Sequence, residues 1–110
     1  MEFHELLKFV EEEDLRLIDY YGSGLDKKTR TLARTVKLSE EVGELSNEIL
    51  TFLSIQRQDK LSDNKSKLAK EMADVMLVVM LIAKSCNVDI EKALEDKISE
   101  IKKRKYDKEK

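Results

Sequence analysis

The amino-acid sequence predicts an all-α protein, and three observations carry that prediction. Proline is absent and glycine occurs three times, so the residues that most often interrupt helices are scarce. Charged residues make up 40% of the chain, with apolar residues returning among them every three or four positions, the pattern of helices that bury one stripe. Alternating runs rich in Val, Ile or Thr are nearly missing, which removes the strand signal. A chain of 110 residues has room for one domain, 1–110, with one modest core.

Four helices account for the pattern. The first is expected from about Glu2 to Tyr21, with Phe3, Leu6, Leu7, Val10, Leu17, Ile18 and Tyr21 on one stripe. Gly22-Ser23-Gly24 ends it, because glycine tolerates backbone angles that stop helix propagation. This Gly-x-Gly is not a phosphate loop, since no strand precedes it and the third glycine and lysine of such loops are missing. The second helix is expected from about Asp26 to Gln58, with Leu38, Val42, Leu45, Ile49, Phe52 and Leu53 inward. The polar segment from Asp59 to Asn64 reads as a loop, with Ser62 or Asp63 capping a third helix over about Lys65 to Ser85. Asn87 offers a left-handed residue after it. A fourth helix opens at Asp89 as N-cap, with Glu91 in its first turn, and runs through Ile90, Leu94, Ile98 and Ile101 to roughly Lys105. Short connections between four helices imply antiparallel neighbours in a bundle.

Charge and cysteine usage narrow the setting. The net charge of −2 calls for no acidic or basic macromolecule as partner, so no nucleic acid is expected. The run Lys102-Lys103-Arg104-Lys105 suits a last helical turn that complements the helix dipole. Cys86 is the one cysteine, which fits a reducing compartment. The opening residues Met1 to Glu5 lack the basic and apolar regions of a signal peptide. The longest apolar run, Met72 to Ala83, is too short to cross a bilayer and contains Asp74. These features predict a soluble cytoplasmic protein that engages no membrane.

That apolar run covers every side of its helix, and a helix apolar all round is buried all round. A chain of this size cannot surround one of its own helices, so a second copy is expected to cover the remaining face, most simply as an isologous dimer. Asp74 is the one ionisable residue among those twelve, and Glu71 lies three residues before it on the same face. Two acids placed in apolar surroundings repel each other and cost several kcal/mol unless a cation compensates them.

The second helix offers a matching pair. Glu41 and Glu44 are also three apart; measured from Leu38 they fall about 60° and about 120° round the helix, so they flank the apolar stripe along one edge. Glu48 extends that edge, whereas Glu40 points more nearly away from it. Two antiparallel helices, each presenting such a pair, can gather Glu41, Glu44, Glu71 and Asp74 around a small cation. Hard oxygen ligands suit magnesium, with manganese as the alternative. Zinc would want imidazole or thiolate, and a di-iron site would want a histidine where Asp74 stands. For the second helix alone, a solvated acidic face with Lys37 pairing to Glu41 is the simpler account; Asp74 tips the reading towards a metal. Gly43, inside this helix at a cost of about 1 kcal/mol relative to alanine, implies either close helix packing or close approach of a ligand.

Leu38-x-Glu40-Glu41-Val42-Gly43-Glu44-Leu45, Glu71-x-x-Asp74-Val75 and Val88-Asp89-Ile90-Glu91-Lys92-Ala93-Leu94-x-x-Lys97 together resemble the MazG-type all-α nucleoside triphosphate pyrophosphohydrolases over about Leu32 to Arg104. Either acidic half alone is a weak signature; the two, followed by an Asp-capped helix, are fairly specific. The resemblance implies hydrolysis of nucleoside triphosphates between the α- and β-phosphates, giving the monophosphate and pyrophosphate, with magnesium held by Glu41, Glu44, Glu71 and Asp74. It also implies homodimers or homotetramers, and gives Glu40 as the leading acid of the motif. The expected chemistry is metal-assisted in-line attack of water on the α-phosphorus, with Glu41 or Glu44 accepting the proton; Glu40, Glu41 and Glu44 are thus the candidate catalytic residues.

Lys97 and Arg104 share the stripe of Ile90, Leu94 and Ile101, an unusual place for cations. Aimed at the acidic cluster they would bind phosphate oxygens, and Lys37 and Arg34 are further candidates. Similar enzymes carry an asparagine where this chain has Ile101. Phe3, Phe9, Phe52, Tyr20 and Tyr21 are available either to the core or to a base. His4, alone near the start, is a surface residue rather than an acid–base group. Two other functions compete: hydrolysis of phosphoribosyl-ATP, and a non-catalytic helical oligomerisation or regulatory module.

Overall fold

A computed structural model describes residues 1–22, 24–54 and 58–107, with the side chains of 58–60 outside the description. All four described elements are helices: α1 (Phe3–Tyr21), α2 (Lys27–Ser54), α3 (Gln58–Ser85) and α4 (Ile90–Lys102). The all-α class and the number of helices are as the sequence predicts.

Local chemistry sets the ends. Gly22, at φ +93°, closes α1 in a conformation that side-chain-bearing residues rarely adopt. Asp26 caps α2, its Oδ1 accepting the Thr29 amide at 2.7 Å; this bond leads the causes that hold the Asp26 carboxyl below its usual range, and Arg30 adds to it. Asn87 takes the left-handed conformation at φ 56°. Its amide donates to Lys84 O at 3.3 Å and the Val88 amide to Ala83 O at 2.9 Å, the paired bonds of a Schellman turn. Asp89 accepts the Lys92 amide at 3.0 Å and caps α4. The helix ends at Lys102, short of the expected Lys105.

The expected loop from Asp59 to Asn64 is helical instead, and α3 begins at Gln58. The last expected residues of the second helix, 55–57, lie outside the described residues. The reason for the longer α3 is periodicity. Leu61, Asn64, Leu68, Glu71, Val75, Val78, Ile82 and Ser85 are its partly or fully buried line, spaced alternately three and four apart. Ser62 and Asp63 face solvent on the outer side of that helix, so their polarity marks an exposed face and not a turn. In α2 the corresponding line is Arg34, Leu38, Glu41, Leu45, Glu48 and Phe52, again four and three apart. A 3.5-residue repeat on two facing helices is a coiled-coil seam. Arg34 reaches Leu81 O at 2.9 Å, whereas Glu41 meets Glu71, so the seam runs antiparallel.

α3 is central: α2 packs along one side of it and the first half of α1 along another. Buried apolar residues are few among the described residues, namely Val10, Met80 and Ala83. An ion pair ties α1 to α2, Asp14 to Arg34 at 2.7 Å, both residues only 8% exposed. The apolar run of α3 is not enclosed by one chain. Val75, Val78 and Ile82 face the seam, Leu77 and Met80 face α1, and Met72, Met76 and Val79 remain exposed. α4 buries none of its residues. The radius of gyration, 17.6 Å, exceeds the roughly 13 Å of a compact chain of this length.

Candidate metal and phosphate site

The α2–α3 seam carries acids where a coiled coil ordinarily carries leucine or isoleucine. Glu41 is 6% exposed, deeper than the edge position that counting from Leu38 gives it. Its Oε1 accepts an ion-paired contact from Lys37 Nζ at 3.0 Å, and its Oε2 is buried without a partner. Glu71 Oε2 and Glu48 Oε2 are buried and unpartnered as well. One carboxylate oxygen each from Glu41, Glu44 and Glu71 fall within 4.8 Å of one another. Buried carboxylate oxygens almost always have a donor or a cation, so this group fits a hard divalent ion, and its all-oxygen donor set suits magnesium or manganese.

The electrostatics agree. Burial, and then the charges of Glu44, Asp74, Glu41 and Glu48, push the Glu71 carboxyl above the usual carboxylate range. Lys37 is raised too, more basic than an ordinary lysine, by its hydrogen bond to Glu41 and then by the charges of the surrounding acids. Among the described ion pairs only Lys37 meets these acids, and the local excess of negative charge is one that a cation would relieve.

The remaining expected site residues are distributed as follows. Glu44 is exposed but joins the three-oxygen group. Asp74 is exposed in the single chain and is not part of that group, although its charge is felt at Glu71. The expectation that Asp74 lacks a solvated side is therefore corrected for one chain: the apolar residues beside it are themselves partly uncovered. Glu40 is exposed and lies 4.0 Å from Lys37 Nζ. Lys97 pairs with Glu100 on the outer surface of α4 at 3.2 Å, and Arg104 lies exposed just past the helix end. Neither is brought to the acidic seam of its own chain in any described contact. Arg34 is held by Asp14 and by Leu81 O, contacts that tie α2 to α1 and α3.

Asp14 is the residue that the sequence reading missed. It sits four positions after Val10 on the buried stripe of α1, and an acid on such a stripe signals a buried counter-ion. Gly43 has a different outcome: a Cβ there would meet nothing within 4 Å, so packing within this chain does not require glycine. Beside Lys37 and Glu40 lies a cavity of about 410 Å³, walled by Leu17, Ile18, Tyr21, Val78 and Leu81, with Arg30 also lining it. Tyr20 stands edge-on to Tyr21, their ring centres 4.9 Å apart.

The antiparallel α2–α3 seam thus brings carboxylates together in a way that could hold a divalent ion, and the sequence comparison supplies the family. Residues 29–108 match the MazG nucleotide pyrophosphohydrolase domain, and the chain belongs to that family. The match contains the acids of α2 and α3 and all of α4, and leaves out α1. No curated protein and no solved structure matches the chain. Family membership carries nucleotide pyrophosphohydrolysis as the general class of activity and a divalent metal as its usual companion. No described helix is long and apolar enough to cross a membrane.

Proposed function

We propose that this protein hydrolyses nucleoside triphosphates between the α- and β-phosphates, releasing the nucleoside monophosphate and pyrophosphate, as a homo-oligomer in the cytoplasm. The observation that carries the reading is the convergence of Glu41, Glu44 and Glu71 oxygens in the seam, with the Glu41 and Glu71 Oε2 atoms buried and unpartnered. Glu41, Glu44 and Glu71 would hold magnesium or manganese, with Asp74, one turn along α3, completing the set. A bound divalent ion supplies charge neutralisation for phosphate oxygens and makes an attacking water more acidic.

The chain's own residues do the rest. Lys37 fixes the Glu41 carboxylate by its 3.0 Å contact and faces the same region as the phosphates to be bound. Glu41 or Glu44 accepts the proton of the attacking water, and Glu44, the more exposed of the two, is the easier for water to reach. Glu40 lines the neighbouring cavity, where its carboxylate can accept hydrogen bonds from a sugar or base. Lys97 and Arg104 bind the phosphate oxygens that leave as pyrophosphate.

The test is a panel of ribo- and deoxyribonucleoside triphosphates with magnesium, with pyrophosphate and orthophosphate detected separately. Pyrophosphate together with the monophosphate is the expected pair. Orthophosphate as the first product would contradict the bond assignment, and turnover confined to phosphoribosyl-ATP would reassign the substrate.

A further inference from the structure

The cavity of about 410 Å³ beside Lys37 has an uneven lining. Leu17, Ile18 and Tyr21 of α1 and Val78 and Leu81 of α3 make apolar walls, whereas its charged groups all come from α2. Those groups are Arg30, Arg34, Lys37 and Glu40, and they are not equivalent. Arg34 is held by Asp14 at 2.7 Å and by Leu81 O at 2.9 Å. Lys37 is held by Glu41 at 3.0 Å, with Glu40 4.0 Å from its Nζ. Arg30 has donors to spare. Its Nη1 donates to Leu25 O at 3.2 Å, while its Nε is buried with no partner among the described residues. Asp26, the nearest acid along the chain, is occupied as the cap of α2, accepting the Thr29 amide at 2.7 Å. A guanidinium offers five N–H donors and no acceptor, and buried donors are almost always matched. Arg30 therefore calls for an acceptor that the chain itself does not supply.

Position along α2 gives a ligand its direction. Glu41 belongs to the three-oxygen group, and Lys37 lies one turn before it. Arg30 is seven residues before Lys37, two further turns, or about 10 Å along the helix axis. A nucleotide with its phosphates at the carboxylates has its sugar beside Lys37 and Glu40 and its base between the apolar walls. The edge of the base remote from the sugar then meets Arg30. That edge carries the group at C6 of a purine or C4 of a pyrimidine. In guanine, hypoxanthine, uracil and thymine the group is a keto oxygen, which accepts; in adenine and cytosine it is an amino group, which donates. An amino group facing Arg30 sets donor against donor and leaves the guanidinium desolvated without a partner.

We propose that Arg30 is a specificity-determining residue that reads this edge, and that the protein prefers nucleotides with a keto group there over those with an amino group. Hypoxanthine and uracil nucleotides, the deamination products of adenine and cytosine nucleotides, fall in the preferred class with those of guanine and thymine. This rests on the nucleotide reading above, whereas the preference itself rests on the cavity and on the unmatched donor at its far end.

Two experiments test it. In the first, kcat and KM are measured with magnesium for ITP against ATP and for UTP against CTP, pairs that differ only along that edge. The wild type is expected to favour the keto member of each pair by about ten- to a hundredfold in kcat/KM, the range of a hydrogen bond to a charged group. Arg30→Met should cost the keto members more than the amino ones and bring both ratios close to one. Arg30→Gln, whose amide both donates and accepts, should narrow the ratios without reversing them. Equal kcat/KM within each pair in the wild type would overturn the proposal. So would a uniform loss in Arg30→Met with both ratios kept, since that is the outcome if Arg30 only holds the turn at Leu25. In the second, inosine and adenosine, which carry no phosphate, are added with chelator present and followed by saturation-transfer NMR. Stronger transfer to inosine, lost in Arg30→Met, is expected; no transfer to inosine, or equal transfer to both nucleosides, would overturn the assignment. A wild-type protein that hydrolyses no triphosphate would remove the functional reading and leave the nucleoside result to decide the role of Arg30.

Discussion

Removing the Arg34 guanidinium while keeping its stem is the most exacting perturbation of the fold. Arg34→Met retains most of the apolar volume on the seam and strips the Asp14 carboxylate of its partner at 2.7 Å. Both residues are 8% exposed, so little water is available to replace the lost contact. Breaking a buried pair from one side costs about 3–5 kcal/mol, whereas an exposed pair costs about 0–1 kcal/mol. Since small domains are stable by about 5–15 kcal/mol, the variant is expected to lose a large share of its folding free energy. The double variant Asp14→Leu/Arg34→Met leaves no orphaned charge and should recover most of the loss, because buried pairs exchanged for apolar residues are often neutral in stability. Urea unfolding at one fixed protein concentration gives all three free energies. A loss below about 1 kcal/mol for Arg34→Met, or a double variant no more stable than the single, would refute the buried staple. Hydrolysis by the double variant is expected to survive, since the described contacts of Arg34 are structural, to Asp14 and Leu81 O.

Three further outcomes are expected. Glu71 titrates above its ordinary value of 4.5 in the folded chain; its contribution to metal-free stability is therefore complete below the unfolded value and is lost as pH rises through the folded one. Glu71→Gln should accordingly flatten that decline between acid and neutral pH in thermal scans made with chelator, and should also remove any magnesium-induced rise in Tm. Asp74→Asn should abolish turnover while changing stability by no more than about 0.5 kcal/mol, as expected for the exposed position it holds; retained activity would remove it from the site. Asp89→Ala, which deletes the cap on Lys92 N, should cost about 1 kcal/mol, read as faster amide exchange in the first turn of α4.

The helices and most of their ends were legible because they depend on local chemistry. Gly22, Asp26, Asn87 and Asp89 each announce a boundary, and each stands at one. The segment from Asp59 to Asn64 misled because polarity alone does not distinguish a turn from a solvated helical face; Leu61 and Leu68 continue the seam through it. The acids of α2 and α3 were legible as pairs, but their depth was not. Counting at 100° per residue from Leu38 puts Glu41 at an edge, whereas the 3.5-residue repeat through Arg34, Leu38, Leu45 and Phe52 puts it inside. Asp14 gave a local signal, an acid on an apolar stripe, but its partner was not legible, since Arg34 is twenty residues away and only tertiary contact joins them. The position of Lys97 and Arg104 relative to the acids depends on how α4 packs, which no local rule determines.

Manganese binding, followed by electron paramagnetic resonance in wild type, Glu41→Gln and Glu71→Gln, interrogates the shared cation directly. Saturable binding in the wild type that disappears when either glutamate is neutralised is the expected result. Binding that is absent from the wild type, or indifferent to both substitutions, would mean that these seam carboxylates hold no metal.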